Sequence, residues 1–212
     1  MGRVEDKVVV ITGAGSGLGE ADAHRLSHEG ARLVLTDINA EEGRRVADEC
    51  IGEAIFFEQD VKEESSWPRL IEATVEAFGR LDVLVNNAGI AHIANIESAA
   101  TDQWHDILRV HLDGTFFGCR SAIPEMTKSG GGSIINISSI YGVVGNDPSL
   151  YEGTDMKQPP DYTFVKGGMI NFTKYLANYF GNQGIRANCI CPGGYFNDQP
   201  GPFLENYEKR VP

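Results

Sequence analysis

Short apolar runs alternate with segments of helical length along this chain, and the alternation constrains its fold more than any other feature. Apolar runs bounded by Gly, Asn or Asp predict β-strands at residues 7–12, 31–36, 54–59, 82–86, 133–138 and 185–191. Helices are predicted between them at residues 18–28, 41–49, 67–78, 101–128 and 161–180. Strands joined through helices lie parallel and are covered on both faces. We therefore predict an α/β fold with a doubly wound parallel sheet in three α/β/α layers.

Composition predicts one domain and excludes two classes of partner. The 212 residues, 42% of them hydrophobic, can bury a full core, so residues 1–212 are predicted to form a single domain. The formal net charge of -12 repels phosphate backbones and anionic lipid headgroups, which excludes nucleic acid and membrane surfaces as partners. No signal-type stretch precedes the first predicted strand, and no apolar run is long enough to cross a bilayer. A cytoplasmic protein is expected.

Cysteine and histidine spacing predicts no metal site. The four cysteines, too few and too unevenly spaced for a disulfide framework, are Cys50, Cys119, Cys189 and Cys191. Cys189 and Cys191 share one face of a predicted strand, but no second Cys/His pair is near in sequence, so buried reduced thiols are favoured. His24 and His28 lie one helical turn apart and could clasp a metal. A solvated helix face is the favoured interpretation, because no acidic or His partner completes the set.

A glycine-rich turn follows the first predicted strand and opens a helix. Its glycines are Gly13, Gly17 and Gly19. Residues without side chains let the backbone turn tightly and approach a pyrophosphate, whose charge then meets the helix N-terminus. Glycine clustering alone is weak support, but its position between a strand and a helix predicts a Rossmann-type nucleotide site.

Asp37 ends the second predicted strand. A carboxylate there can accept hydrogen bonds from both hydroxyls of an adenosine ribose, and it repels a 2′-phosphate. Ser16, Thr36 and Ile38 offer no cation that would hold such a phosphate, so the sequence favours NAD over NADP. The alternative is that Asp37 caps the helix that begins near Asn39.

The spacing of the glycine turn resembles that of the short-chain dehydrogenase/reductase family, and two further turns match the family. Asp60-Val61 and Asn86-Asn87-Ala88-Gly89 follow the third and fourth predicted strands. The resemblance covers essentially the whole chain and implies a Rossmann fold with six of the family's seven strands. It also implies NAD as cofactor, bound by Gly13, Ser16, Gly17, Leu18, Gly19, Asp37, Asp60, Val61, Asn87, Ala88, Gly89, Tyr162, Lys166, Pro192 and Gly193.

Tyr162 and Lys166 are four residues apart and so share one face of a predicted helix, and the preceding strand brings Ser138 and Ser139 to the same sheet edge. Moving a phenol pKa from near 10 to about 7 requires roughly 4 kcal/mol of preferential stabilisation of the phenolate. The resemblance implies that Ser139 binds the substrate oxygen and that Tyr162 exchanges its proton. It implies that Lys166 holds the nicotinamide ribose and lowers the tyrosine pKa. The alternative is a surface helix pair, and the choice of Ser139 over Ser138 rests on the family register alone.

Two positions depart from the family pattern. His111 stands where the family usually has an asparagine that anchors a water in a proton relay, and the resemblance implies a catalytic role for His111 in a modified relay. Phe196 stands where a threonine is usual. Family members then continue with a substrate lid, another helix and a seventh strand. We therefore expect a C-terminal truncation at Pro212, an exposed sixth strand, and loops at residues 141–160 and 193–212.

The predicted reaction interconverts a secondary alcohol and a ketone by hydride transfer. The segment between Ser139 and Tyr162 is rich in polar side chains, namely Asn146, Asp147, Tyr151, Glu152, Asp155, Lys157 and Gln158. They favour a hydroxylated substrate, cyclic or sugar-like, and a solvated surface loop is an equal alternative. A truncated NAD-binding remnant or scaffold without turnover and an NAD-retaining epimerase or dehydratase are the alternatives. The resemblance also implies a homo-oligomer, either a dimer or a tetramer.

Overall fold

The structure is a computed structural model that describes residues 2–210. Its strands are β1 (Val8–Thr12), β2 (Arg32–Asp37), β3 (Ala54–Glu58), β4 (Val83–Asn86), β5 (Gly132–Ile137) and β6 (Ile185–Ile190). Its α-helices are α1 (Gly17–His28), α2 (Ala40–Glu49), α3 (Ser66–Phe78), α4 (Thr101–Leu108), α5 (Gly114–Lys128), α6 (Pro160–Phe180) and α7 (Gly201–Glu208). Every predicted strand and helix is present, with its ends within one residue of the predicted ones.

The strands form one parallel sheet in the order β3-β2-β1-β4-β5-β6. The direction of winding reverses between β1 and β4, and in such sheets ligands bind in the crevice at the carboxyl ends of the strands. Helices lie on both faces of the sheet. The predicted Rossmann-type, doubly wound, three-layer fold is therefore confirmed.

Alternate residues of β1 fill the cores on the two faces of the sheet. Val8 and Val10 pack in the layer that contains α3 and α5, whereas Val9 and Ile11 pack in the layer that contains α1 and α2. All four side chains are fully buried. A shift of one residue in the register of β1 would move each of these side chains to the opposite face of the sheet. Packing of the two cores therefore fixes the register of the strand and the position of its carboxyl end.

The helix predicted at residues 101–128 contains one irregular turn. α4 ends at Leu108, a π-helical turn spans Arg109–Asp113, and α5 continues directly from it. A π-helical turn within an α-helix is frequently found at a functional site. This one holds the buried side chain of His111.

The loop prediction for residues 193–212 is wrong in its second half, because α7 forms there; Val211 and Pro212 lie outside the described residues. Pro202 occupies the first turn of α7, where proline is tolerated. Phe203 packs against Tyr151 with ring centroids 5.6 Å apart, and Arg210 Nε donates to Asp147 Oδ2 at 2.9 Å. These partners are distant in sequence, so local composition could not reveal the helix.

The segment 141–160 is also more ordered than predicted. It contains the 3₁₀ turns Ile140–Gly142 and Pro148–Tyr151, the second of which packs against α7. Among the described residues, β6 lies at the edge of the sheet beside β5, and the side chain of Ile190 is 50% exposed.

His24 has acidic neighbours that its sequence context does not show. Its Nε2 lies 3.8 Å from Glu20 Oε1 and 3.6 Å from Glu49 Oε2, because α1 packs against α2. The assumption that no acidic partner stands near this histidine is therefore wrong. Arg45 binds both carboxylates at 2.9 Å, so the cluster forms an ion-pair network on the surface.

Candidate active site

The glycine turn is held against the sheet by polar side chains at the ends of β1 and β4. Asn87 Nδ2 donates to the carbonyls of Thr12 and Gly13 at 2.9 and 3.0 Å. Thr12 Oγ1 accepts from the backbone N–H groups of Asn87 and Ala88, both at 3.1 Å. Asn87 was predicted as a cofactor ligand and Thr12 was missed. The sequence signal for Thr12 was its place directly before the first glycine.

A glycine at position 19 is required by the approach of α1 to this turn. A Cβ atom on Gly19 would lie 2.1 Å from the carbonyl oxygen of Gly13 and 2.6 Å from Asn87 Nδ2. Gly13 itself has a φ of +64°, which side chains rarely adopt. Both glycines therefore shape the turn, which leaves the backbone at the start of α1 open to a ligand.

Asp37 fastens the glycine turn instead of capping a helix. Its Oδ2 accepts from the N–H of Gly15 and its Oδ1 from the N–H of Asn39, both at 2.9 Å. The cap of α2 is Asn39, whose side chain accepts from the backbone of Glu41 and Glu42. The N-cap alternative for Asp37 is therefore wrong. Its carboxylate stands at the carboxyl end of β2, beside the glycine turn.

A cavity of about 420 Å³ opens at these strand ends. The predicted cofactor residues that line it are Gly13, Ser16, Leu18, Asp37, Asp60, Val61, Asn87, Ala88 and Gly89. Residues that sequence reasoning missed also line it, namely Ile38, Gln59, Lys62, Ile90, Asp106 and Val110. Lys62 Nζ donates to Asp106 at 2.9 Å and lies 3.8 Å from Asp60, so its charge is matched by carboxylates. Apolar side chains form part of the wall, and the carboxylate of Asp37 stands beside the glycine turn.

Four residues predicted as cofactor ligands line neither this cavity nor the one that contains Ser139 and Tyr162, namely Gly17, Gly19, Lys166 and Pro192. Gly17 and Gly19 belong to the first turn of α1, and Pro192 accepts a hydrogen bond from the N–H of Ile140 at 3.0 Å. That bond joins the end of β6 to the segment after Ser139. Gly193 lies instead in a second cavity, which also contains the predicted catalytic hydroxyls.

The second cavity, of about 350 Å³, lies over the carboxyl ends of β5 and β6. Ser139 and Tyr162 both line it. Burial raises the pKa of Tyr162, and the nearby hydroxyl of Ser139 lowers it by a smaller amount. Ser138 faces the other way and donates to the carbonyl of Lys166 at 2.7 Å. Ser139 is thus the serine that meets the cavity, while Ser138 anchors α6.

Lys166 is 4% exposed and lies beneath the tyrosine. Its Nζ donates to the carbonyl of Ile137 at 2.8 Å and is 5.4 Å from the ring centroid of Tyr162. Burial lowers the pKa of Lys166 to about 8. At pH 7 this lysine is therefore mainly protonated, and the role that the resemblance implies for it, lowering the tyrosine pKa, stays a prediction.

His111 is bound to one backbone segment and not to the lysine. Its Nε2 lies 2.8 Å from the carbonyl oxygen and 3.1 Å from the amide nitrogen of Ile90, and its Nδ1 is buried without a partner among the described residues. One imidazole nitrogen cannot donate and accept at once, so a neutral ring satisfies only one of these two backbone groups. Burial, aided by the charge of Lys166, lowers the pKa of His111 to about 3, so the ring is neutral at pH 7.

His111→Asn is expected to retain activity. An amide can donate to the carbonyl and accept from the N–H of Ile90 at the same time, which the imidazole cannot do. We expect kcat/KM for an alcohol to stay within about tenfold of the unmodified protein. A loss above about a hundredfold, or nearly 3 kcal/mol of transition-state stabilisation, would show that the imidazole has its own role in the chemistry.

The same substitution should change how stability depends on pH. The folded protein holds His111 neutral down to about pH 3, whereas the unfolded chain protonates it near its ordinary pKa of 6.5. The unfolded state therefore binds more protons below pH 6.5, and stability falls as pH falls. Between pH 7 and pH 5 the unmodified protein should lose about 2 kcal/mol more than His111→Asn in urea unfolding. Parallel stability curves for the two proteins would contradict this burial of a neutral ring.

A chain of buried amides supports the strand ends from below. Asn86 Nδ2 donates to Asn136 Oδ1, and Asn136 Nδ2 donates to Thr173 Oγ1, both at 2.8 Å. All three side chains are buried. They tie β4, β5 and α6 together beneath the site, and sequence reasoning did not assign them a role, since no sequence pattern shows that they meet.

Comparison with known proteins identifies the family. The sequence profile of the family described as short chain dehydrogenase matches residues 7–199. The chain belongs to the short-chain dehydrogenase family. Trans-4-hydroxycyclohexanecarboxylate dehydrogenase of Sinomonas cyclohexanicum is 40% identical over 200 residues, which cover 90% of this chain and 73% of the relative. For 3-alpha-(or 20-beta)-hydroxysteroid dehydrogenase of Mycobacterium tuberculosis the identity is 40% over 91% of this chain and 70% of the relative. Meso-2,3-butanediol dehydrogenase of Serratia marcescens is 34% identical, over 99% of this chain and 81% of the relative.

As a short-chain dehydrogenase, the protein is an oxidoreductase, and such enzymes use a nicotinamide cofactor. Its relatives are named as dehydrogenases of a hydroxy acid, of hydroxysteroids and of a diol. Among residues 2–210 of this short-chain dehydrogenase, none of the helices has the length and apolar character needed to span a bilayer.

Proposed function

We propose that this protein is an NAD-dependent dehydrogenase that interconverts a secondary alcohol and a ketone with Ser139, Tyr162 and Lys166. The observation that carries the proposal is the shared cavity of Ser139 and Tyr162, with Lys166 buried directly beneath the tyrosine ring. The bound nicotinamide would accept or deliver the hydride. The remaining tasks, which are to orient the substrate oxygen and to move its proton, belong to the hydroxyls of this chain.

Tyr162 is suited to donate a proton when a ketone is reduced. Burial raises its pKa, so at neutral pH the phenol keeps its proton until a carbonyl oxygen in the cavity takes it. Ser139 hydrogen-bonds the same oxygen and holds it near the phenol. For the reverse reaction the phenolate must form, and the charge of Lys166 together with that of the oxidised nicotinamide would stabilise it.

NAD is the proposed cofactor because of the charge at the adenosine end. The carboxylate of Asp37 lies in the 420 Å³ cavity beside the uncharged Ile38 and Ser16. Lys62, the lysine in that cavity, is bound to Asp106. A 2′-phosphate would therefore meet an uncompensated carboxylate, whereas ribose hydroxyls would find an acceptor.

A compact or cyclic secondary alcohol fits the second cavity. Aromatic and apolar side chains form much of its wall, including Tyr141, Tyr151, Phe203 and Tyr207. Of the polar residues between the two site motifs, Tyr151, Lys157 and Gln158 line the cavity. Relatives named for cyclohexane and steroid substrates are consistent with a ring bound there. We also propose that the protein acts as a homo-oligomer.

Two measurements test this function. Calorimetry with NADH and with NADPH shows whether a cofactor binds and which one binds more tightly. Turnover is measured by adding NAD and each of a panel of cyclic secondary alcohols and following the absorbance of the NADH formed. We expect tighter binding of NADH and steady production of NADH from at least one alcohol. Binding without turnover across alcohols and ketones would favour a scaffold, and cofactor that survives gel filtration and is not consumed would favour an epimerase or dehydratase.

A further inference from the structure

Three side chains in the wall of the second cavity form a directed hydrogen-bond chain. Tyr141 Oη lies 3.2 Å from Tyr151 Oη, and Tyr151 Oη donates to Gln158 Oε1 at 3.1 Å. All three residues line the cavity together with Ser139 and Tyr162. The proposed chemistry does not use any of the three.

The last acceptor sets the direction of the whole chain. An amide oxygen can accept but cannot donate, so the proton of Tyr151 is committed to Gln158. A phenol has a single proton, so the contact between the two tyrosines requires that Tyr141 donates to Tyr151. Tyr141 therefore has no proton left for a ligand, and its oxygen can meet one only as an acceptor.

This acceptor lies close to the reacting groups. Tyr141 stands two residues after Ser139, and its N–H donates to Ser139 Oγ at 3.2 Å. The nearby Tyr141 hydroxyl also raises the pKa of Tyr162 electrostatically. Burial and the bond to Tyr141 raise the pKa of Tyr151, so the chain stays protonated at neutral pH.

We propose that Tyr141 Oη accepts a hydrogen bond from a second hydroxyl of the substrate, so that the site selects diols over compounds in which that hydroxyl is an ether or a carbonyl. The inference rests on the proposed dehydrogenase function and names the substrate class of the same cavity. A polar group that is built to accept a proton discriminates against a ligand without one, because the buried oxygen then stays unpaired.

Binding to the complex of the protein with NADH tests the inference without turnover, because an alcohol cannot be oxidised when the cofactor is already reduced. The probes are cyclohexane-1,2-, -1,3- and -1,4-diol, each compared with its monomethyl ether, with NADH fluorescence as the readout. We expect at least one diol to bind about tenfold more tightly than its ether. Equal binding within all three pairs would overturn the proposal.

Variants test whether the preference for a diol comes from the direction of the hydrogen-bond chain or from the shape of the cavity. Tyr141→Phe should abolish the preference for the diol, and Tyr175→Phe, an exposed tyrosine of α6, should leave it unchanged. Gln158→Glu retains an acceptor for Tyr151 and should keep the preference for the diol. In Gln158→Leu this acceptor is lost, so Tyr151 can donate to Tyr141, and the proton of Tyr141 becomes available to an ether oxygen. The ether should then bind. A preference that survives both Tyr141→Phe and Gln158→Leu would show that shape alone selects the diol.

Oxidation of cyclohexanol and of the three diols with NAD by the unmodified protein is measured separately. Failure of all four alcohols would count against the proposed dehydrogenase function and would leave the binding comparison with NADH intact. Turnover of cyclohexanol combined with equal binding of diols and ethers would instead retain the dehydrogenase and reject the hydroxyl acceptor at Tyr141.

Discussion

Tyr162→Phe should lower kcat/KM for both directions of the reaction by about a thousandfold or more, since a positioned acid or base contributes about 10²–10⁴-fold and Tyr162 is the phenol proposed to exchange the substrate proton. The substitution removes one oxygen atom from a half-buried ring and preserves its contact with His111, whose centroid is 6.0 Å away. Folding and cofactor binding are therefore expected to persist. NADH affinity by calorimetry should stay within about twofold.

The control for this variant is Tyr175→Phe, which removes the same atom from an exposed position on the same helix. It should leave kcat/KM and the melting temperature unchanged. If Tyr162→Phe kept more than about a tenth of the activity, general acid–base catalysis by this phenol would be rejected. A parallel loss of NADH affinity would instead place the residue in cofactor binding.

Asp37→Ser is expected to reverse the order of cofactor affinity. It removes a charged acceptor of the ribose hydroxyls, which is worth about 1.5–3 kcal/mol, and it removes the repulsion of a 2′-phosphate. NADH should bind about tenfold to a hundredfold more weakly and NADPH more tightly, as measured by calorimetry. Comparable affinity of the unmodified protein for NADH and NADPH would contradict the role assigned to Asp37.

Asp37 also accepts from the N–H groups of Gly15 and Asn39, so a loosened glycine turn must be distinguished from lost selectivity. Asp37→Asn serves this purpose, because its amide oxygen still accepts one of these bonds while the charge is gone. We expect Asp37→Asn to reduce discrimination against NADPH with little change in melting temperature. A large loss of stability in both variants would make Asp37 a structural residue first.

The chemistry at each strand end could be read from the sequence wherever the motif is local. The glycine turn, Asp37 and the Tyr162–Lys166 pair each lie within one turn or one helical repeat, and the alternation of strands and helices predicts that parallel strands end at one edge. The bounds of the strands followed from the same alternation, which is clearest in the four central strands β2, β1, β4 and β5, whose residues are mostly buried.

What local pattern could not show is which polar groups meet across the fold. The sequence was compatible with Asp37 either as a ligand of the ribose or as a helix cap. The choice of Ser139 over Ser138 rested on the family register alone. The structure gives the cap to Asn39 and turns Ser138 toward α6, because the direction of a side chain depends on the neighbouring element.

The sequence by itself determined a parallel α/β sheet with a glycine-rich turn after its first strand, because periodicity and glycine spacing act over a few residues. Only the tertiary structure decided that His111 binds Ile90, that α7 forms against the turn Pro148–Tyr151, and that the hydroxyls of Tyr141 and Tyr151 meet in the wall of the second cavity. Each of these depends on contacts between segments far apart in the chain, whose geometry is set by packing of the two cores and not by local preference.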